Sequence, residues 1–599
     1  MVAEAPTSWD LSDLYVGIGD PAIHRDCELT LERAKAFEEQ FRGRIEAHDC
    51  SPETLRAALD EYDQTLRLLA LPMAYANLLF NSDTMDPAHG AFMQEMQERE
   101  TAASKHMVFF DLEIGRMPDE TFAGLIGDPL LERYRHYLEH ERTVARHHLS
   151  EPEEKIVDEL SNTGIRAFVR LFDELTSRAV FRVKTDRGVD ELSESQAMAL
   201  LFSPDRRIRQ SAAEAVTETM KERSHVLTFI FNNQLQHKAT MDRLRKYEYP
   251  DQARHEGNEL DPAVVEHVVS VTSESYPVVS DYYRLKAQLL GIERLTHYDR
   301  YAPINGHESV IPFSEARRIV LDAFDRFSGD ARANIESFFN RRWIDAELRP
   351  GKSGGAFCMS TTPDLHPYVF MNYTDKPRDV MVLAHELGHG LHSVLASKQT
   401  YLDFHSSLPL AETASVFGEM LVFESLQQQI DDPREKLALL CGKIEDTFST
   451  VFRQVSMYRF EQAAHKARRE EGELTTERYN AIWQQVMQDM FGNSLELGED
   501  HGWWWLYIPH IFVMPFYVYA YAFGELLVMS LYARYKREGE PFVGKFLDLL
   551  ASGGSRRPDE QLSKIGVDIH SRDFWQGGVD LIRGMVEQAK SLAATVEPA

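Results

Sequence analysis

The sequence predicts a mainly α-helical protein built from more than one lobe. Three observations lead there. The chain has 599 residues, more than one simple core organises. Over long stretches its apolar residues recur at helical spacing with few Pro or Gly interruptions. Strand-like alternation is confined to two short places. Hydrophobic residues make up 43% and charged residues 27%, ordinary values for a folded protein.

Between residues 50 and 112 the helical pattern is carried by positions such as Leu66, Leu69, Leu71 and Tyr75. Ala179–Leu192 alternates apolar and polar residues around Asp186-Arg187-Gly188 and reads as a hairpin. Ser193 and Gln196 then form a capping-box pattern that opens a new helix. We take the hairpin as the division between an N-terminal helical lobe, 1–192, and a catalytic region, 193–599. A second strand pair is expected at Gly355–Ser360 and Tyr368–Thr374, after the flexible loop Pro350–Gly355. The Gly-Lys-Ser in that loop resembles a phosphate-binding loop, but Ala346 stands where the motif needs glycine, and no helix opens at Ser353. The aromatic-rich run Trp503–Tyr532 contains Pro509, His510, Pro515 and Glu525, so it reads as a buried helix rather than a membrane span.

Charge and cysteine content exclude whole classes. Lys and Arg total 65 against 95 Asp and Glu, a net charge of −30, the wrong sign for a nucleic-acid footprint. Four cysteines, Cys27, Cys50, Cys358 and Cys441, form no C-x-x-C pair, which argues against a disulfide framework or a thiolate metal site. The opening MVAEAPTSWDLSDLY lacks a basic and then apolar leader, so a cytoplasmic location is expected. Oligomeric state carries no signal in the sequence.

The chemistry lies in His385-Glu386-Leu387-Gly388-His389. On a helix, positions i and i+4 share a face, so both imidazoles can hold one metal ion. Glu386, offset by about 100°, reaches a water held by that ion rather than the ion itself. Thr374 or Asp375 is the expected cap of this helix, with Pro377 in its first turn and Val380, Leu383, Leu387, Leu391 and Leu395 as its apolar positions. The surrounding VMVLAHELGHGLHSVL is apolar, and two histidines and a glutamate buried there without a partner are costly. One Zn2+ is therefore expected, with a third protein ligand. His392 lies about 10 Å along the axis from His385 and fits poorly. Glu412, near the start of a second helix capped by Ser406 or Ser407, completes a His2Glu set. Glu419, two turns on, either orients a ligating histidine or is a solvated helix charge.

HELGHGLH followed by ETASVFGE resembles the M3 metallopeptidases, most closely the oligoendopeptidase F branch. WDLSDLY at Trp9–Tyr15, SGGAFC at Ser353–Cys358 and the late block FLDLLASGGSRRPDEQLSKIGVDI extend the resemblance along nearly the whole chain. The thimet-type relatives and the carboxypeptidase Taq group share the fold but match these blocks less well. The resemblance implies a two-lobed helical metallopeptidase of the thimet/neurolysin-like kind, with a deep substrate channel and a small β-sheet near the zinc site. It implies zinc on His385, His389 and Glu412, and Glu386 as general base and acid. It also implies a histidine and tyrosines late in the chain that stabilise the oxyanion. Within PHIFVMPFYVYAYAFGE, helical spacing places His510, Tyr517 and Tyr521 on one face, with Tyr519 opposite and in the core. A peptide substrate is expected to pair with the edge strand at 355–360, where Gly354, Gly355 and Ala356 allow close approach; Cys358 is read as strand packing.

The expected activity is hydrolysis of internal bonds in short, unfolded peptides, with no nucleic-acid or membrane partner. A metallo-carboxypeptidase or dipeptidase on the same fold would need a basic residue for the substrate's C-terminus, which no motif marks. A non-catalytic peptide-binding protein would not need an intact H-E-x-x-H with a third ligand.

Overall fold

The computed structural model describes residues 8–304 and 310–596. The first seven residues, on which the absence of a leader was partly read, lie outside the described residues. Among the described residues the architecture is mainly helical with three small sheets. The chain forms two compact units, each discontinuous in sequence: 1–146, 309–429 and 534–568 in the first, and 147–308, 430–533 and 569–599 in the second. Neither ends at residue 192. The hairpin signature is local, and it does not report which body the hairpin joins. No helix among the described residues is long and apolar enough to cross a membrane.

In the first unit the periodic stretch after residue 50 becomes the helices Pro52–Ser82, Pro87–Ser104 and Phe109–Arg116. Ser51 caps the first by accepting from the Thr54 N–H at 3.2 Å, and proline occupies its first position. Phe37, Tyr62 and Phe110 centre one aromatic core. A second core forms where Trp9 of the WDLSDLY stretch packs on Tyr368 and Phe370, at 6.2 and 5.6 Å between ring centroids. These two tyrosine and phenylalanine rings belong to the small sheet of this unit.

That sheet has three strands. Tyr368–Phe370 is central, antiparallel to Phe357–Met359 with Cys358 opposite Val369, and parallel to Ile344–Asp345. The strands are shorter than their sequence patterns. Gly355, at φ +84°, turns the chain just before Phe357–Met359. The two-residue strand at 344–345 is too short to show alternation in sequence. Lys352 of the Gly-Lys-Ser loop is buried: it donates to Asp345 Oδ1 at 2.8 Å and to the carbonyls of Glu347 and Met371 at 2.9 and 2.6 Å. The lysine therefore ties strands together rather than facing a ligand.

The H-E-x-x-H helix runs Pro377–Ala396 and packs against the helix Thr413–Gln429. Its cap differs from expectation. Lys376 takes the N-cap position, and the Asp379 carboxylate accepts from the N–H groups of Thr374 and Lys376 and from the Thr374 hydroxyl. An acidic residue in the first turn thus ties back the segment that leads into the helix, in place of a cap from Thr374 or Asp375. Two glycines allow the helices to meet. A Cβ on Gly388 would lie 2.4 Å from the Ala414 carbonyl oxygen, and one on Gly418 2.9 Å from that of Ala384.

In the second unit, the hairpin Phe181–Thr185 and Gly188–Leu192 pairs in the expected antiparallel register and buries Phe181 and Val183 on the 39-residue helix Arg206–Leu244. The capping box at Ser193 is present, with Ser193 N–H donating to Gln196 Oε1 at 3.0 Å. The run Trp503–Tyr532 is not one helix. It comprises a 3-10 turn ending at Trp503, a short helix Pro509–Val513, a turn, and the helix Tyr519–Glu538. Pro515 and Phe516, the latter at φ +59°, interrupt it.

Candidate metal centre and catalytic site

The first unit brings His385, His389 and Glu412 together. His385 Nε2 and His389 Nε2 are 3.2 Å apart, and each lies 3.3 or 3.4 Å from Glu412 Oε2. For metal–ligand bonds of about 2.05 Å, a tetrahedron has edges of about 3.3 Å. The three atoms thus already sit at three corners of a zinc-sized tetrahedron. This is the one such cluster of His, Cys, Asp and Glu donors among the described residues. The donor chemistry, two imidazoles and a carboxylate, suits a catalytic zinc site with one open position.

Each donor is held by the fold. Glu412 does not begin a regular helix. It sits at the junction between the single turn Leu408–Ala411, capped at Ser407, and the helix Thr413–Gln429. Ser415 Oγ donates to Glu412 Oε2 at 2.7 Å. His385 Nδ1 lies 2.6 Å from Glu419 Oε1. With the Nδ1 proton donated to that carboxylate, the Nε2 lone pair is left facing the other two donors. Burial pushes His385 down, yet the Glu419 hydrogen bond and three nearby carboxylates raise it to about 9. Burial likewise pushes Glu412 up, but a hydrogen bond from His389 and the two imidazoles hold it at about 2. The donors thus form a tight cluster of opposite charges, whose protonation a cation at its centre would rearrange.

Glu386 is 5% exposed, and its Oε2 has no hydrogen-bond partner among the described residues. Burial raises its pKa above the usual carboxylate range, against the pull of both histidines. A buried carboxylate oxygen left unpaired beside a ligand cluster is costly in a resting fold and useful to a base that awaits a water. His392 takes no part in the cluster. It is buried, burial holds it near 4, and its Nε2 lies 2.8 Å from Ser406 Oγ.

A cavity of about 710 Å³ opens on this centre. Its walls include Ala356–Ser360 of the edge strand, Asn77 and Asn81 of the helix Pro52–Ser82, the residues His385, Glu386 and His389, and the segment Phe404–Ser406. Of the three small residues expected to meet substrate, only Ala356 lines it; Gly354 and Gly355 do not. A Cβ at either glycine would meet nothing within 4 Å, so Gly355 answers to its backbone angle rather than to crowding. Cys358 lines the cavity too, and burial raises its thiol well above the ordinary range, as does the Glu386 charge.

His510, Tyr517 and Tyr521 lie in the second unit and form a group of their own. The His510 ring is 6.2 Å from Tyr517 and 5.8 Å from Tyr521, and the two tyrosine rings are 5.1 Å apart. Tyr521 Oη is 3.4 Å from His510 Nε2. They meet across a turn rather than along one helix, which corrects the helical-face argument used to select them. Tyr519 is fully buried, with its hydroxyl taken by Asn258 at 2.8 Å and His255 at 3.1 Å, a core residue as expected.

Sequence reading missed Ser415, the glycines Gly388 and Gly418, and the cavity walls at Asn77, Asn81 and Phe404–Ser406. Small residues inside H-E-L-G-H and E-T-A-S-V-F-G are the signal for close helix packing, and the asparagine pair at i and i+4 marks one polar face of a helix.

Comparison with known proteins gives the family. The profile of Peptidase family M3 matches residues 328–581, and that of Oligopeptidase F matches 113–181; together they cover more than half of the chain. Oligopeptidase PepF of Bacillus subtilis is 24% identical over 600 residues, covering 99% of this chain and 88% of that protein. Group B oligopeptidase PepB of Streptococcus agalactiae is 26% identical, covering 99% and 98%. A solved chain from Chlamydophila abortus superposes with a TM-score of 0.88 at 25% identity over 98% of both chains. Oligoendopeptidase-F from Enterococcus faecium does so with a TM-score of 0.73 at 21% identity, over 96% of this chain and 99% of that one. With the H-E-x-x-H helix and Glu412 inside the first matched segment and the stretch from residue 113 to the start of the hairpin at Phe181 inside the second, the chain belongs to peptidase family M3, in its oligopeptidase F branch, and is a metalloendopeptidase.

Proposed function

We propose that the protein is a zinc-dependent oligoendopeptidase that cuts internal bonds of short, unfolded peptides. The observation that carries this reading is the trio of donor atoms 3.2–3.4 Å apart beside the buried, unpaired oxygen of Glu386. His385, His389 and Glu412 would hold the ion, with Glu419 fixing the tautomer of His385 and Ser415 the orientation of Glu412. Zinc, when bound, supplies Lewis-acid polarisation of the scissile carbonyl and makes water acidic enough to ionise near neutral pH.

The chain's own groups do the rest. Glu386 Oε2 accepts a proton from the attacking water and passes it to the leaving amine nitrogen. The substrate backbone lies along the outer edge of Phe357–Met359 as an added strand, with Ala356 permitting close approach. Strand addition reads main chain, so it accommodates varied sequences. His510 and a tyrosine hydroxyl, that of Tyr517 or Tyr521, donate hydrogen bonds to the carbonyl oxygen as negative charge develops on it, a contribution of about 3–4 kcal/mol per donor. The expected location is the cytoplasm.

The test is digestion of a graded peptide set and a folded protein, with and without a zinc chelator, followed by mass spectrometry of the products. Internal, chelator-sensitive cuts confined to short peptides are expected. Release of terminal residues alone would make the enzyme a carboxypeptidase or dipeptidase, and intact peptides despite bound zinc would leave a peptide-binding protein.

A further inference from the structure

The His510, Tyr517 and Tyr521 group exists only because the chain turns between its members. On a continuous helix His510 and Tyr521 would be about 16 Å apart along the axis. In the fold their rings are 5.8 Å apart. The turn spans Met514–Val518, and within it Phe516 adopts φ +59°. Left-handed backbone is unfavourable for a residue with a Cβ, and it persists where surroundings over-determine it.

The surroundings here are identifiable. The Phe516 ring is fully buried, 4.6 Å from the His465 ring and 6.1 Å from Tyr458. Its N–H donates to Glu461 Oε1 at 2.7 Å. Pro515 has no N–H, so this is the first backbone donor after the proline. Glu461, His465 and Tyr458 share one face of the helix Phe452–Glu471. Glu461 is 1% exposed, and its second oxygen, Oε2, has no hydrogen-bond partner among the described residues. A leucine would be easier to bury there, so the carboxyl calls for a reason, and the left-handed N–H it accepts from is the one the structure offers.

We propose that Glu461 is a positioning residue: it pins the left-handed turn at Phe516 and so sets His510, Tyr517 and Tyr521 as one group. The inference rests on the reading that these three rings act on the substrate. Burial raises Glu461 to about 8, so at neutral pH it is largely an uncharged acid whose carbonyl-type oxygen accepts the bond. An amide reproduces that oxygen; an alkyl chain does not.

The experiment compares Glu461→Leu and Glu461→Gln with Tyr521→Phe in the full-length enzyme. For each, kcat, KM, zinc content, thermal midpoint and hydrogen exchange across 514–518 are measured. Glu461→Leu is expected to lower kcat about 10- to 100-fold with KM within about threefold, the size of effect that a misplacement of roughly 1 Å produces. Its zinc content and midpoint stay at the wild-type level, while exchange at 514–518 accelerates. Glu461→Gln recovers most of kcat. Should the leucine variant not accumulate, Glu461→Met makes the same test. Wild-type kcat in Glu461→Leu, with Tyr521→Phe slow, would overturn the positioning role. Equal slowing of the leucine and glutamine variants, with lowered midpoints, would also overturn it and leave a packing role. Normal turnover in Tyr521→Phe, Tyr517→Phe and His510→Ala alike would instead remove the reading of the rings, and the positioning role with it.

Discussion

Replacing Gly388 with alanine tests how the metal centre is built without touching a ligand. The new Cβ would lie 2.4 Å from the Ala414 carbonyl oxygen and 2.6 Å from the Ser415 Cα. Both are backbone atoms, so no side chain can swing away. Ordinary contact starts at 3.4 Å, so the two helices must part by about 1 Å. Overpacking of this kind costs about 1–3 kcal/mol of stability. The site is more sensitive than the fold. Glu412 and Ser415 ride on the displaced segment, whereas His385 and His389 flank Gly388 on the other helix. Ligand distances tolerate shifts of about 0.2 Å, so a 1 Å displacement spoils the trio. We expect zinc affinity to fall at least 10- to 100-fold, the range seen when supporting contacts of a ligand set are lost. Affinity is read by competition with a chromogenic chelator, and stability by denaturant unfolding of the metal-free protein. Gly544→Ala is the control: its Cβ would meet nothing within 4 Å in the middle of the helix Glu540–Ala551, so neither quantity should fall. Wild-type zinc affinity in Gly388→Ala would refute the argument that close helix approach sets the donor spacing.

The other predictions concern side chains at the site itself. Glu386→Gln should retain zinc and lose about 10²- to 10⁴-fold in kcat, measured with a quenched fluorescent peptide; normal turnover would remove Glu386 from the base role. Glu412→Ala should lose zinc on dialysis, whereas Glu419→Ala should bind it about 10- to 100-fold more weakly, both measured by elemental analysis and chelator competition. Equal retention in the two would mean that Glu419 is no mere orienting group. Tyr521→Phe should lower kcat about 10²- to 10³-fold with little change in KM, and a pure KM effect would make it a substrate-positioning residue.

What could be read from sequence divides along a physical line. The histidine pair His385 and His389, the capping box at Ser193 and the hairpin at Phe181–Leu192 are all local patterns, set by residues a few positions apart on one element or one turn. Helix or strand-and-turn geometry fixes the placement within each pattern before any tertiary contact forms. The features that escaped are those in which backbone, rather than side chain, carries the information. The Gly-Lys-Ser loop is rejected as a phosphate loop from sequence alone, but where Lys352 goes instead, inward to Asp345 and the Met371 carbonyl, is not legible there. The run from His510 to Tyr521 has helical periodicity throughout, and a periodic pattern cannot announce the left-handed residue that folds it. The choice of His510, Tyr517 and Tyr521 as a group agrees with their proximity, although the helical face used to select them does not exist.

That outcome has a mechanical explanation. Three rings on a straight helix would be spread along about 16 Å of axis, too far apart to converge on one carbonyl oxygen, whereas a five-residue turn folds them back on one another. Such a turn is only as fixed as what grips it. The same holds at the metal centre, where Glu412 sits at the junction of two helical segments and takes its orientation from Ser415 and from the glycines that bring its helix close. In both places a side chain proposed to act stands at or beside a break in regular structure, and on that proposal the precision of the site comes from residues outside the donor sets themselves.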